Sequence, residues 1–261
     1  MRTFVRTALA ALTVLIAHPV HAQFEGRLEY EVKQAPDGTE EGENMGTAVV
    51  WLSQAGARTE MAIPPQEDLP EGGRFATLWK RSEPGRVYLI NDARRSYAAM
   101  DVDEEQPEAD EKYRITRLGR GKVAGYACER VRVTQGDDSG DEICISRALG
   151  KIPVHLVMDR RGLSLWNELR KAGLDGVPVS WRSEDDDGFS MVLTSARKHV
   201  VPRKLLEVPA GYSRTSMMGA FASPEQAKKM EEELGKLREQ MKDMTPEQRA
   251  QIEKLLEAYE K

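Results

Sequence analysis

From Phe24 to Val32, apolar and charged positions alternate. Phe24, Leu28, Tyr30 and Val32 are interleaved with Glu25, Arg27, Glu29 and Glu31, the period-2 pattern of a strand with one buried and one wet face. Thr47 to Ser53 (TAVVWLS) is apolar on both faces and reads as a central strand. Gln54-Ala-Gly56 turns the chain into Arg58 to Ile63, and Pro64-Pro65 ends that run because proline cannot donate to a ladder. Phe75 to Lys80, Val87 to Asn91 and Ser96 to Met100 continue the series at the short, regular spacing of a meander. Asp101 to Glu111 is acidic and lacks aromatic residues, so it reads as a solvated loop.

The stretch Gly121 to Arg147 holds both cysteines of the chain on the two arms of one expected hairpin. Val131 and Val133 share a face of the first arm, with Tyr126, Cys128, Arg130 and Arg132 opposite; Ile143 and Ile145 share a face of the second, with Glu142 and Cys144 opposite. The turn-rich Gln135 to Gly140 reverses the chain. A register with Cys128 opposite Cys144 puts Arg130 opposite Glu142 and closes the turn near Gly136. The cysteines then form a disulfide in an oxidising compartment, or stay as unpaired thiols in a reducing one. A bridge closing a loop of this length is worth about 3 kcal/mol in the chain-entropy picture.

Leu163 to Gly173 has Leu165, Trp166 and Leu169 at helical spacing and a glycine at its end, predicting one helix among the strands. Val177 to Arg182 and Phe189 to Arg197 form a second hairpin, Lys204 to Val208 a last strand, and Pro209 to Tyr212 closes the domain. Residues 213–222 read as a linker. Beyond it, Ser223-Pro-Glu-Gln226 and Thr245-Pro-Glu-Gln248 repeat one helix start, with a hydroxyl cap, proline at the first position and glutamine to complete a capping box. In the first helix Met230, Leu234, Leu237, Met241 and Met244 draw one apolar stripe at coiled-coil-like steps of four and three; Ile252, Leu255, Leu256 and Tyr259 do so in the second. The stripes can close on each other as an antiparallel helical hairpin, lie on the β domain as an arm, or meet a second subunit.

Residues 1–22 carry Arg2 and Arg6, an apolar run and Val20-His-Ala22, the pattern of a cleavable secretory signal; an uncleaved membrane anchor is the alternative. Loss of Arg2 and Arg6 takes the formal net charge from -5 to -7, so the global basic surface that nucleic acids require is missing. His18 and His21 leave with the signal, and His155 and His199 are far apart in sequence. Ser146, Ser180 and Ser190 lack a Gly-x-Ser-x-Gly setting, and the cysteines are not a Cys-x-x-Cys pair. The acidic runs lack the ligand spacing of a calcium loop. No catalytic residue, metal site or cofactor is expected.

Phe24-x-Gly-x-Leu-x-Tyr30, Ala124-Gly-Tyr-x-Cys128, Leu174-Asp-Gly-x-Pro178 and Val208-Pro-Ala-Gly-Tyr212, in this order, resemble the exported bacterial family catalogued as domain of unknown function 4412, over Phe24 to Tyr212. That family is similar in pattern to the LolA/LolB-like lipoprotein carriers. The resemblance implies an α+β, mostly β fold: a curved antiparallel sheet left as an unclosed barrel, a short plug helix, and here a C-terminal helical hairpin outside the match. It also implies a hydrophobic cavity able to hold acyl chains, with Trp51, Trp79, Trp166 and Trp181 as candidate lining. Two binding roles stand open: a periplasmic or secreted carrier or sensor of a lipid-like ligand, with the Trp166 helix as lid, or a chaperone-like interaction protein, which the Met-rich stripe of the tail suggests independently of the family. The second acts on partners through Met230, Leu234, Leu237, Met241 and Met244. Intact-mass measurement of the exported protein is expected to find Gln23 as the first residue; a retained leader would establish the anchor instead.

Overall fold

The computed structural model describes residues 24–34, 42–65, 73–101, 113–135, 140–152, 160–183 and 188–221, with the single positions 229, 232, 235–237 and 241. Six strands open the fold as a meander: β1 (Gly26–Gln34), β2 (Glu43–Leu52), β3 (Gly56–Ile63), β4 (Gly73–Lys80), β5 (Arg86–Asn91) and β6 (Ser96–Asp101). A second group follows: β7 (Tyr113–Val123), β8 (Tyr126–Gln135), β9 (Asp141–Ser146), the helix α1 (Arg160–Lys171), β10 (Val177–Ser183) and β11 (Phe189–Lys198). A 3-10 turn at Arg203–Leu206, the two-residue β12 (Ser213–Arg214) and α2 (Met217–Phe221) end the described chain. All twelve strands belong to one sheet, in the order β12-β6-β5-β4-β3-β2-β1-β11-β10-β9-β8-β7. It is antiparallel except where β12 joins β6, and β12 and β7 are its edges, so the curved sheet remains unclosed.

The register carries one face across the whole sheet. Leu28 lies opposite Val50, Leu52 opposite Ala57, Ala57 opposite Trp79, and Trp79 opposite Val87. In the other direction Val32 meets Met191, Met191 meets Trp181, Trp181 meets Ile143, and Ile143 meets Val131. Both helices cover this face, here called inner. Leu165, Trp166 and Leu169 of α1 pack on Val131, Val133, Ile143 and Ile145, and Ala220 of α2 packs on Leu89 and Ala98. α1 ends as its glycine predicts: Gly173 has φ +74°, Leu174 N donates to Leu169 O at 2.8 Å, and Leu174 buries beside Leu169. The β7–β8 turn has positive φ at both Ala124 (+47°) and Gly125 (+85°), the backbone of a tight hairpin reversal.

Several sequence expectations need correction. The hairpin of β8 and β9 is paired two residues away from the expected register: Arg130 lies opposite Cys144, and Arg132 opposite Glu142. A slip of two keeps every side chain on its face, so alternation cannot distinguish the registers. The disulfide forms all the same, diagonally, with Cys128 and Cys144 Cα atoms 5.4 Å apart. The Arg130–Glu142 pair also survives on the diagonal, with Nη2 to Oε1 at 2.6 Å. Most of β7 was not anticipated, because its solvent-facing, arginine-rich sequence carries no apolar alternation.

Lys204 to Val208 is not a strand. Leu205 N donates to Pro202 O at 2.9 Å, and the adjacent Leu205 and Leu206 both contact the cluster around Leu78 and Ile90, which successive residues of a strand cannot do. Residues 213–221 are no linker either, since β12 pairs with Ser96 and Tyr97 and α2 docks on the sheet. The expected helices of the tail lie outside the described residues except for isolated positions. Replacing both Cys128 and Cys144 by serine is expected to lower unfolding free energy by up to about 3 kcal/mol, read from urea midpoints. An unchanged midpoint would show that the bridge adds nothing to stability.

Candidate binding surfaces

The inner face changes character along its strands. In the middle it is filled by its own side chains: Leu28, Tyr30, Val50, Leu52, Ala57 and Leu193 are buried together. Toward one end the same face opens. Along β1 burial falls from Leu28 to the half-buried Val32, along β11 from Leu193 to Met191 and Phe189, and along β10 from Val179 to Trp181. On β3, Ala57 is fully buried whereas Met61 is 40% exposed, and half-buried Phe75 lies opposite Met61 on β4. Val32, Met61, Phe75, Trp181, Phe189 and Met191 are thus the half-buried or exposed apolar positions at this end of the face among the described residues, here called its mouth. The Trp181 and Phe189 rings meet at a tilt with centroids 5.7 Å apart, and the buried Trp181 Nε1, like Trp51 Nε1, has no hydrogen-bond partner among the described residues. An orphaned donor of this kind suits a ligand oxygen or a water molecule.

The candidate tryptophans do not share one site. Trp181 stands at the mouth. Trp166 is 4% exposed and anchors α1. Trp79 shares the inner face but packs with Val87 and Met100, its Nε1 donating to Pro84 O at 3.0 Å. Trp51 is on the outer face, beneath the segment containing the 3-10 turn, with Arg27 over its ring and His199 at 6.1 Å. Of the tail stripe, Met241 is buried and Leu237 half-buried; Met230, Leu234 and Met244 lie outside the described residues.

Sequence reasoning passed over Arg58. It faces outward between Trp51 and Leu78, is 5% exposed, and donates from Nε to Glu60 Oε1 at 2.7 Å. Its Nη2 lies 3.8 Å from Asp92, whose other oxygen accepts from Tyr212 OH at 2.9 Å. The Tyr212 phenol is held above its usual range by burial and by that bond. No sequence signal marks this buried arginine, which depends on partners from three separate segments. Two cavities open near here. One of about 600 Å³ is lined by Asn44, Thr47, Ala62, Pro64, Arg74 and Asp92, the other of about 380 Å³ by Arg27, Glu29, Glu31, Val49 and Thr194 among others. Neither includes a tryptophan. Among the described residues, no three His, Cys, Asp or Glu side chains are grouped to hold a metal ion, and no helix is long and apolar enough to cross a membrane.

Comparison with protein families matches residues 24–212 to the family described as Domain of unknown function (DUF4412). The chain belongs to this family. Comparison with curated proteins gives no match. Among solved structures, an uncharacterized conserved protein from Thermus thermophilus aligns at TM-score 0.40 and 11% identity, covering 73% of this chain and 90% of that one. MucB aligns at TM-score 0.36 and 13% identity, covering 73% of this chain and 59% of MucB. The MucA/MucB complex structure from Pseudomonas aeruginosa aligns at TM-score 0.36 and 11% identity, over 73% and 57%.

In this DUF4412 chain the residues that carry the family resemblance hold the scaffold together. Phe24 and Leu28 belong to the filled middle. Gly176 leaves no room for a side chain, since a Cβ there would lie 2.7 Å from Ser146 O. Pro178 O accepts the Tyr30 hydroxyl at 3.1 Å, joining β1 to β10 across β11. Burial pushes the Tyr30 phenol far above its ordinary value of 10.0. The folded state therefore holds a proton that the unfolded chain releases near pH 10. Stability from this group is complete below that pH and is lost as pH rises beyond it, by up to about 1.4 kcal/mol per unit. Tyr30→Phe is expected to lose about 1 kcal/mol at neutral pH and to flatten the alkaline slope in urea titrations; equal slopes for both proteins would exclude Tyr30 as its source.

Proposed function

We propose that this chain is an exported, non-enzymatic binding protein that takes an acyl-type apolar ligand at the open end of its inner face, in the periplasm or outside the cell. One observation carries the reading: the inner face is filled by its own side chains in its middle but ends in a mouth where Met61 is 40% exposed and Val32, Phe75, Trp181, Phe189 and Met191 are half-buried. Covering such a face recovers roughly 25 cal/mol per Å² of apolar surface removed from water. The unpartnered Trp181 N–H adds a donor for a carboxyl or ester oxygen. A ligand lies across the mouth rather than threading the middle, which Leu28, Tyr30 and Val50 already occupy.

The signal-like leader and the Cys128–Cys144 bridge support export to an oxidising compartment. The binding role is tested on mature protein purified without detergent from the compartment in which it folds. Organic extracts are expected to contain lipid in stoichiometric amount, absent from a control protein handled identically. The same protein, delipidated, is expected to take up cis-parinaric acid with quenching of tryptophan emission. Met61→Glu, at an exposed position, should weaken that uptake about tenfold without changing the circular dichroism. Clean extracts together with no saturable uptake would leave a self-filled core and no carrier.

A further inference from the structure

The two edges of the sheet are treated differently. At one, β6 is covered by β12, with α2 docked beside it. At the other, β7 has no hydrogen-bonded strand on its outer side among the described residues, although β11 approaches it across the curl of the sheet, and Arg114, Thr116, Leu118, Arg120 and Lys122 stand exposed along it. The carboxylates nearest on β8 and β9 are already engaged: Glu129 pairs with Arg117, and Glu142 with Arg130. The side chains of Arg114, Arg120 and Lys122 pair with no carboxylate among the described residues. The basic edge is local, because the chain as a whole carries formal charge -5.

We propose that the β7 edge accepts an acidic, extended polypeptide as an added strand. An open edge offers a row of unpaired N–H and C=O groups, and strand addition satisfies them. Charge selects the occupant. A second copy of this chain, pairing β7 with β7, sets arginine against arginine, and like charges directly opposed across strands destabilise the pair. Neutral strands gain nothing from Arg114, Arg120 and Lys122, and the bulge between Arg117 and Gly119 interrupts a flat register. The same cations that repel basic or identical edges favour one bearing glutamate or aspartate. Half-buried Tyr113 and Ile115, beside the α1 cluster, supply apolar neighbours for alternate residues of the added strand.

The bulge puts Arg114 on one face of β7 and Arg120 and Lys122 on the other. The test therefore uses the full mature chain and a fluorescein-labelled Glu-Glu-Val-Val repeat peptide, which carries glutamate on both faces, read by fluorescence anisotropy. Saturable binding is expected, weakened about tenfold or more in the combined Arg114→Gln, Arg120→Gln and Lys122→Gln variant, whose fold is checked by circular dichroism. The same peptide N-methylated at alternate residues should bind at least about tenfold more weakly, because backbone pairing is then blocked while charge is kept. Absence of saturable binding overturns the proposal, as does equal binding of the N-methylated peptide, of a Lys-Val analogue, or by the combined variant. Binding to phosphatidylglycerol vesicles that the combined variant abolishes, with no peptide binding, overturns it in favour of an anionic surface.

Discussion

The double pairing of β1 is the constraint on which the rest of the architecture depends. β1 bonds to β2 along one side and to β11 along the other, so the first strand of the fold is a central strand of the sheet. Without it the meander β2–β6 and the group β7–β11 have no common ladder. Its alternation of fully buried Leu28 and Tyr30 with half-exposed Arg27, Glu29 and Glu31 sets which face of both halves becomes interior. The Tyr30 hydroxyl then reaches Pro178 O, locking β1 to a strand it does not pair with. A β1 shifted by one residue would turn Leu28 and Tyr30 outward and place glutamates in the core.

How much of this was legible follows from what each interaction leaves in the sequence. Burial on one face leaves alternation, so β1 and the strands from β3 to β6 could be read with small errors at their ends, and the α1 stripe with its closing glycine marked the helix. Face was legible in the β8–β9 hairpin where register was not, because a slip of two leaves alternation intact. The disulfide tolerates the slip, as diagonal neighbours in a twisted pair still bring the Cys128 and Cys144 Cα atoms to 5.4 Å. β7 escaped because an edge strand need bury neither face, and the docking of residues 213–221 because it rests on backbone contacts such as Thr215 N to Tyr97 O. The mouth was illegible for a further reason. Val32, Met61 and Phe75 are ordinary strand residues whose half-exposure depends on where each strand ends relative to its neighbours, a property of register across the sheet.

The division of the inner face also explains why tryptophan content was a poor guide to the site. Large aromatic side chains fill gaps wherever the curved sheet leaves them. Trp166 is used to seat a helix, Trp79 to close the β4–β5 corner with a bond to Pro84 O, and Trp51 to support the outer segment. Trp51 shares the partial exposure and the unpartnered buried N–H, and only Trp181 combines them with a place at the mouth. That combination, rather than aromaticity, distinguishes a position able to contact a ligand from one that holds the fold.

Polar chemistry in the described chain is mostly structural. Arg58 is buried because Glu60, Asp92 and Tyr212 together offset its desolvation, and hydrogen bonds from Lys80 and Tyr88 hold the Glu83 carboxyl below its usual range at a strand corner. Each of these groups has its protons and charges committed to a partner within the fold. Apart from the buried Trp51 Nε1 and Ser96 Oγ, which lack partners inside the fold, uncommitted groups among the described residues stand at two boundaries of the sheet: apolar surface and the Trp181 N–H at the mouth, and cations with open backbone at the β7 edge. A sheet that closed fully would have consumed the second, and strands of equal reach the first. Incomplete closure thus leaves the β7 edge open, and unequal strand reach leaves the mouth.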